Sequence, residues 1–276
     1  MPEDYLPRRV VSLQPSITVT LRDLGLLHRL VACTRYCLDV CPEIDRTQCA
    51  IVEDSWTAQA EQILAVRPDL VMASVPYQIE ALAEIMKAGI PFLGFAPKSL
   101  ADVYADIATI ARIMGAEQHG LEVISRMRNE IDTMRQATSH AERPLVYCEE
   151  WGKPLILSQP WVAELVEAAG GRFFGQPGRQ VTVEEVVAAN PQVIVAAWCG
   201  AGDRVPLEKI VARRGWEQTS AAQSGRVYCI NDEFLNTPAS TLIQGLKALA
   251  GAIDPQHHSV EGLRRIDARL QVIGDR

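Results

Sequence analysis

The sequence predicts an α/β fold in which two Rossmann-like βα lobes are bridged by one long backbone helix. Three observations predict it: a helix–strand unit that occurs twice, short apolar runs that alternate with amphipathic helices, and a long helical stretch between the two copies. We expect an N-terminal lobe at residues 1–98, a bridging helix at 99–142 and a C-terminal lobe at 143–276.

The repeat is the strongest of these signals. Residues 61–73 read EQILAVRPDLVMA, and residues 184–196 read EEVVAANPQVIVA. At a constant offset of 123 residues, four pairs are identical: Glu61 with Glu184, Ala65 with Ala188, Pro68 with Pro191, and Ala73 with Ala196. Two copies are too few for a solenoid. We interpret them as two similar lobes with a ligand cleft between them.

Alternating patterns predict the elements of the first lobe. A short apolar strand at 10–13 precedes an amphipathic stretch through 21–30, and the polar, cysteine-containing residues 33–56 are expected to form loop. The elements that follow are a helix at 59–66, a strand at 70–73, a helix at 78–88 and a strand at 90–95. This alternation predicts a parallel sheet with helices on its faces.

The rest of the chain continues the pattern after a long helical stretch. Residues 99–138 contain no proline and carry apolar residues at intervals of three and four, which predicts one broken helix or two consecutive helices. The second lobe is predicted to contain strands at 144–148, 192–197 and 226–230, and helices at 160–169, 182–189, 206–213, 238–252 and 259–271.

Composition and charge exclude several classes of protein. The net charge of −7 leaves no basic surface for nucleic acid, although it suits docking onto a basic partner. No apolar run reaches the roughly 18 residues of a membrane span. The opening MPEDYLPRRVVSL lacks the features of a secretory signal, so the chain as written is expected in the cytoplasm, or outside it if a leader was removed. We expect a monomer.

The cysteines raise a separate possibility. The chain has seven, an odd number that favours buried reduced thiols over a disulfide framework. Cys33, Cys37 and Cys41 have C-x3-C-x3-C spacing, and on a loop their thiolates would be able to hold zinc or an iron–sulfur cluster. The spacing is not the C-x2-C pairing of established metal motifs.

Four segments together resemble the helical-backbone (class III) substrate-binding proteins of ABC importers. They are RVVSLQPSITVTLRDLGL near the start, EQILAVRPDLVMA, SLADVYADI at the start of the long helical stretch, and VTVEEVVAANPQVIV. Within this class the chain is most similar to the vitamin B12 (cobalamin)-binding proteins. That similarity depends on Tyr36 before a Pro-Glu pair, Trp56, Trp151 and Trp198.

The resemblance implies binding of a small molecule, with no catalysis and no cofactor. The implied ligand is cobalamin or a related corrinoid, held between the lobes at the carboxyl ends of the sheet strands. The ligand-binding positions that it implies are Ser16, Tyr36, Trp56, Ser74, Tyr77, Trp151, Trp198, Asp232 and Phe234. Glu61 and Glu184 match the positions at which the family docks onto an ABC permease.

Other interpretations remain for several of these residues. Strand-end tryptophans also serve in packing, which is the role expected of Trp161 and Trp216. Glutamates in a first helical turn are favoured by the helix dipole without any partner. The ligand would instead be a ferric siderophore or haem if cationic or tyrosine residues lined the cleft. A cytoplasmic protein that binds a metal or cluster through the Cys33, Cys37 and Cys41 thiols is the alternative from another class.

Overall fold

A computed structural model describes residues 6–75, 78–139, 142–261 and 263–266. The chain divides into two compact units, Met1–Met127 with Pro238–Ser240, and Arg128–Thr237 with Thr241–Arg276. The expected division into 1–98, 99–142 and 143–276 stays a prediction. Among the helices of the described ranges, none combines the length and the apolar character that a membrane crossing requires.

The first unit contains a five-stranded sheet. Its strands are β1 (Val10–Ser12), β2 (Leu30–Thr34), β3 (Ala50–Val52), β4 (Leu70–Ser74) and β5 (Phe92–Phe95). They lie in the order β3-β2-β1-β4-β5, and every neighbouring pair is parallel. The carboxyl ends of all five strands therefore share one edge, which we name the first strand-end surface.

Helices cover both faces of this sheet. They are α1 (Pro15–Asp23), α2 (Arg35–Val40), α3 (Ala60–Ala65), α4 (Ile79–Lys87) and α5 (Leu100–Ile113). Successive side chains of a strand point to opposite faces, and the neighbours Val10 and Val11 accordingly belong to two different apolar clusters. Burial on both faces explains why the strands read as continuous apolar runs.

Two predictions for the first unit are wrong. Residues 33–56 are not loop, because they contain the end of β2, helix α2 and strand β3. The cysteines of this segment are buried free thiols, as the odd cysteine count favours. The helix expected at 21–30 is instead α1, and it ends where Gly25 adopts a φ of +72°.

The second unit contains a seven-stranded mixed sheet. Its strands are β6 (Leu145–Gly152), β7 (Leu155–Leu157), β8 (Arg172–Phe173), β9 (Gln180–Val181), β10 (Val193–Ala196), β11 (Val227–Cys229) and β12 (Arg264–Arg265). The order is β12-β11-β10-β6-β7-β9, with β8 beside β6. Strands β6, β10 and β11 are parallel, so their carboxyl ends form what we name the second strand-end surface.

The remaining helices follow the predicted pattern, apart from one short helix that was not predicted and the helix predicted at 259–271. They are α6 (Glu117–Ala137), α7 (Pro160–Ala168), α8 (Val183–Ala189), α9 (Leu207–Arg214), α10 (Ser220–Gln223) and α11 (Leu242–Ile253). The long helical stretch is two consecutive helices, α5 and α6, separated near Gly115, whose φ is +72°. The helix predicted at 259–271 is wrong at its centre, where β12 forms; residues 267–271 lie outside the described residues.

The internal repeat is visible in the backbone. Helices α3 and α8 begin 123 residues apart, as do strands β4 and β10. In the described part of the chain, the non-glycine residues with positive φ are Arg67 (48°) and Asn190 (47°), which occupy the same repeat position. Left-handed backbone is costly for a residue with a Cβ. Its presence at both sites indicates that the turn between helix and strand requires it.

The residue two positions later has the same role in both copies. Asp69 accepts hydrogen bonds through its carboxylate from the backbone N–H groups of Arg8 (2.8 Å) and Arg9 (2.9 Å), just before β1. Gln192 accepts one through Oε1 from the backbone N–H of Leu145 (2.6 Å), at the start of β6. In each unit, this side chain fastens the start of the neighbouring strand.

Candidate functional site

A chain of hydrogen bonds crosses the first strand-end surface. Gln14 donates through Nε2 to the Ser55 hydroxyl (2.7 Å), and Ser55 donates to the Ser74 carbonyl (2.9 Å). Ser74 donates in turn to the Phe95 carbonyl (3.2 Å). The segments after β1 and β3 are thereby tied to the ends of β4 and β5. Gln14 and Ser55 were not among the predicted site residues, although each is a polar residue that follows a strand closely.

A small pocket opens among the same strand ends. Ser16 and Ser74 line one side of it, and Asp106 and Ile107 of α5 line another. Ser16 is half-buried and Ser74 is buried. The pocket therefore brings together two of the predicted site residues with a carboxylate that the sequence did not single out.

The aromatic residues of the first unit differ in exposure. Trp56 follows β3 and is 50% exposed. Tyr36 lies in α2, half-buried, and accepts a hydrogen bond from Nη2 of Arg35 (2.7 Å), whose guanidinium lies 4.7 Å from the ring centroid. Tyr77 lies outside the described residues. Trp56 thus offers the larger free aromatic face of the two described.

Trp151 is the exposed aromatic residue of the second strand-end surface. It is 45% exposed, and its indole N–H donates to the Lys153 carbonyl (3.0 Å). The sequence placed Trp151 after a strand that ends at residue 148, and this is wrong because β6 continues to Gly152. A bulge between Glu149 and Trp151 shifts the register with β7, and bulges commonly redirect side chains at functional sites.

Trp198 is held by a buried carboxylate. Its Nε1 donates to Oε1 of Glu149 (2.6 Å), and Glu149 is 1% exposed. The other carboxylate oxygen accepts from the Tyr147 hydroxyl and from Nη1 of Arg214 (2.7 Å). Glu149 therefore has three hydrogen-bond donors, and the ionised form of a buried carboxylate needs such partners.

Arg214 joins this cluster to the aromatic core. Its Nη2 donates to the Gly152 carbonyl (2.9 Å), and its guanidinium lies 4.7 Å from the Trp216 ring centroid and 5.9 Å from that of Trp198. Tyr147 packs edge-on against Trp216 at 5.3 Å between centroids. Trp216 is fully buried, so its expected packing role is confirmed. Glu149 and Arg214, which are 65 residues apart, were not among the predicted site residues.

Asp232 holds the loop after Trp198. Its carboxylate accepts from the backbone N–H groups of Gly200 (2.8 Å) and Gly202 (2.7 Å). Asn236 adds a hydrogen bond to the Ala197 carbonyl (2.7 Å). Phe234, two residues after Asp232, is half-buried. Asp232 therefore shapes the second strand-end surface through backbone groups.

Glu150, next to the buried Glu149, has a pKa near neutral pH. Gln159 donates to its Oε1 through Nε2 (2.5 Å). Burial raises the pKa of Glu150 to about 7, and the hydrogen bond opposes that rise. Part of the Glu150 population is consequently protonated at physiological pH.

The two repeat glutamates are both exposed. Glu61 lies in the first turn of α3 and Glu184 in the first turn of α8. Thr182 caps α8 by accepting from the backbone N–H of Glu185 (3.2 Å). Hydrogen bonds from its own backbone and from Thr182 lower the pKa of Glu184, so this carboxylate is fully charged at neutral pH.

The cysteine cluster lies inside the first unit. Cys33, Cys37 and Cys41 are each 0% exposed and belong to an apolar cluster. Cys49 Sγ lies 3.5 Å from Cys33 Sγ, and burial raises the pKa of Cys41 to about 12. Within the described ranges, no group of three or more His, Cys, Asp or Glu side chains is placed to hold a metal ion.

The chain is similar in sequence to known proteins. The sequence profile of a family described as "Periplasmic binding protein" matches residues 10–234. An ABC transporter substrate-binding lipoprotein of Bacillus subtilis is 27% identical over 263 residues, covering 90% of this chain and 81% of the relative. A vitamin B12-binding protein of Vibrio cholerae is 27% identical over 256 residues, covering 87% of this chain and 86% of the relative.

The fold is also found among solved structures. The periplasmic haem-binding protein of Roseiflexus superposes with a TM-score of 0.79 at 24% identity, covering 89% of this chain and 97% of that one. At this identity the likeness establishes the fold alone.

Proposed function

The chain belongs to the periplasmic binding protein family, and from this we propose that it is the substrate-binding protein of an ABC importer and binds cobalamin or a related corrinoid. The predicted α/β fold and the predicted resemblance to helical-backbone substrate-binding proteins are both confirmed. A binding role follows from the family, and the ligand is argued from the strand-end residues below.

The observation that carries the proposal is an exposed indole on each strand-end surface. Trp56 is 50% exposed and Trp151 is 45% exposed. Open α/β sheets bind ligands at the carboxyl ends of their strands. A corrin is a wide, flat, largely apolar ring, and rigid aromatic faces bind such rings at low entropic cost.

The names of the relatives support the same ligand. The Vibrio cholerae relative is named for vitamin B12 binding, and the alignment covers most of both chains. The Bacillus subtilis relative is named as an ABC transporter substrate-binding lipoprotein, which supports the transport context.

The proposed contacts come from both strand-end surfaces. Indoles and rings would cover the flat faces of the corrin, and hydroxyl groups would bind its amide-bearing edge. We propose Ser16, Tyr36, Trp56, Ser74, Trp151, Trp198 and Phe234 as ligand contacts. Asp232 would act through the loop that it holds, since its carboxylate already accepts two backbone N–H groups. Tyr77 stays a prediction.

Equilibrium dialysis against cyanocobalamin, followed by corrin absorbance, tests the proposal. We expect saturable binding at one site, weakened about tenfold by Trp56→Ala or Trp151→Ala, which corresponds to about 1.4 kcal/mol. Met86→Ala is the matched control, because Met86 is 62% exposed on α4, away from the strand ends. Absence of binding by the unmodified protein would contradict the corrinoid proposal.

Haem or a ferric siderophore is the second candidate. The Arg35–Tyr36 pair favours it, because a guanidinium beside a phenol suits an anionic or iron-bearing ligand. The superposed Roseiflexus protein is named for haem binding. Dialysis of the same preparation against haemin separates the two: tighter binding of haemin, lost in Tyr36→Phe, would replace the corrinoid proposal. The cysteine-based metal site has less support, because its thiols are buried among apolar residues.

We propose that Glu61 and Glu184 dock onto a cationic surface of the permease. Both are exposed at equivalent positions of the two units, as a partner with repeated arginines would require. Reversing the charge of either glutamate to lysine should abolish stimulation of the importer's ATPase while cyanocobalamin binding stays unchanged. Glu122→Lys, on the exposed face of α6, is the control. Unchanged stimulation in both glutamate variants would refute the docking role.

This function would place the protein outside the cytoplasm. The family description and the lipoprotein relative both support that location. The expected cytoplasmic location and the expected monomeric state stay predictions. Fractionation of the native organism with an antibody to the chain tests the location directly.

A further inference from the structure

The pocket of the first strand-end surface is too small for a corrin ring and admits only the end of one peripheral group. Its cavity volume is about 10 Å³, whereas pockets that enclose a whole ligand measure roughly 300–1,000 Å³. Its walls combine Ser16 and Ser74 with Asp106 of α5, and Phe95 and Ile107 supply apolar surface. The pocket therefore selects on the chemistry of a single substituent.

Asp106 is the charged group of this pocket. It is half-buried, and within the described ranges no hydrogen bond or ion pair is made by its carboxylate. Asp102, one turn earlier, does have a hydrogen-bond donor, because its carboxylate accepts from the backbone N–H of Lys98 (2.9 Å). A partly desolvated carboxylate without a hydrogen-bond donor is unfavourable in free energy. A ligand that donates an N–H group to Asp106 would therefore gain binding free energy.

The hydroxyl groups complement that carboxylate. Ser74 already donates to the Phe95 carbonyl, so its oxygen can only accept from a ligand. The Ser16 hydroxyl has no hydrogen-bond partner among the described residues and is free to donate, while the Ser16 carbonyl accepts from Thr20 (2.8 Å). The pocket thus presents a strong acceptor and a free donor.

We propose that this pocket is a subsite for a primary carboxamide at the edge of the ligand. The amide NH₂ would donate to Asp106, and the amide oxygen would accept from Ser16. Asp106 would also repel a carboxylate at the same place, so it sets a preference for amide-edged over acid-edged macrocycles. This inference rests on the proposed corrinoid function and adds the chemical basis of its specificity.

The test compares cyanocobalamin with its monocarboxylic acids, in each of which one peripheral amide has been hydrolysed. Affinities are measured by equilibrium dialysis at pH 7.5 on the full chain. The unmodified protein should bind at least one of these acids about tenfold more weakly than cyanocobalamin, the effect of one unfavourable charge contact. Asp106→Asn should reduce that ratio to less than about threefold.

Two further variants make the result specific. Ser16→Ala should weaken cyanocobalamin binding about threefold to tenfold, since it removes one hydrogen bond to the amide oxygen. Glu122→Gln makes the same carboxylate-to-amide change on exposed α6 and should leave both affinities unchanged. Thermal unfolding of each variant verifies that it is folded.

The outcomes separate the two levels of inference. An unmodified protein that binds cyanocobalamin, together with an Asp106→Asn variant that discriminates as strongly as it does, would overturn the subsite and leave the corrinoid function standing. An unmodified protein that binds no corrinoid would overturn both. A reduced ratio in Asp106→Asn, with the ratio of Glu122→Gln unchanged, would establish the subsite.

Discussion

The indole N–H of Trp198 donates to the buried carboxylate of Glu149, with 2.6 Å between Nε1 and Oε1. One edge of the indole is thereby fixed, while Trp198 as a whole remains half-exposed at the end of β10. An aromatic contact that is oriented before its ligand arrives loses little conformational entropy on binding. Under the proposed function, Glu149 would therefore act on the ligand through Trp198.

Glu149→Gln should destabilise the second unit strongly. The change keeps the size of the side chain but leaves Arg214, only 11% exposed, without its anionic partner. Removal of one member of a buried ion pair costs about 3–5 kcal/mol. Urea unfolding followed by tryptophan fluorescence measures the loss.

The control for that variant is Glu84→Gln. Glu84 pairs with Lys87 at 2.8 Å, but both side chains are more than half exposed. Exposed pairs contribute about 0–1 kcal/mol. A Glu149→Gln variant no less stable than Glu84→Gln would show that the buried carboxylate is not the centre of the cluster.

Gly152→Ala should displace Trp198. A Cβ at Gly152 would lie 2.2 Å from the indole ring, closer than any tolerated contact. Overpacking of this kind costs about 1–3 kcal/mol, and we expect weaker ligand binding as well. Because the clash is with the ring, Gly152→Ala should cost little further stability in a Trp198→Ala background. Additive losses in the double variant, measured by thermal unfolding, would contradict this contact.

Stability should fall as the pH rises from about 5 to 8. Burial raises the pKa of Glu150 to about 7 and that of Asp106 to about 6, above those of the unfolded chain. The folded protein therefore holds protons that the unfolded chain releases in this window, and stability decreases with pH. We expect a Tm about 4–8 °C lower at pH 8, the effect of roughly 2 kcal/mol, which the raised pKa of Glu150 supplies by itself.

The variant Glu150→Gln should show a smaller pH dependence of Tm over the same window. Carboxyl groups with lowered pKa, such as Asp45 and Glu185, act in the opposite direction. Their effect is confined to the range below about pH 4.5. A Tm that rises between pH 5 and 8 would mean that Glu150 and Asp106 are not the dominant groups.

Arg67→Val should be less stable than Arg67→Gly by about 1–2 kcal/mol. The backbone at position 67 has a φ of 48°, which glycine adopts freely and a β-branched residue adopts at high cost. The Arg67 side chain is exposed, so contact loss contributes little to the comparison. Thermal unfolding of the two variants tests it, and equal stabilities would mean that the turn can change its conformation.

Most of the fold could be predicted because the elements around the repeat are regular. Strand β4 and helix α4 lie within two residues of their predicted positions. The loop predicted at 33–56 was wrong, because the end of β2, helix α2 and strand β3 are each too short to show a periodic pattern. Buried thiols supply part of their apolar contacts. Strands β8 and β9, two residues each, are too short for any periodic pattern.

The site was predictable only where it depends on local position. Trp151 was expected near a strand end, and it lies in the last residues of β6. The Glu149–Arg214 pair was not predictable, because its partners are 65 residues apart and meet only through the packing of β6 and α9. The pocket around Asp106 likewise depends on how α5 packs beside β4 and β5.

The left-handed backbone at Arg67 and Asn190 bears on how the two repeats evolved. Position 67 uses arginine and position 190 uses asparagine, yet both have nearly the same φ. Asp69 and Gln192 differ in the same way while each binds the start of a strand. The two helix–strand units have thus diverged in side chains while retaining the same turn conformation, as descent from a single duplicated segment would leave them. The backbone conformation of the turn is therefore better preserved between the two copies than the identity of the residues that form it.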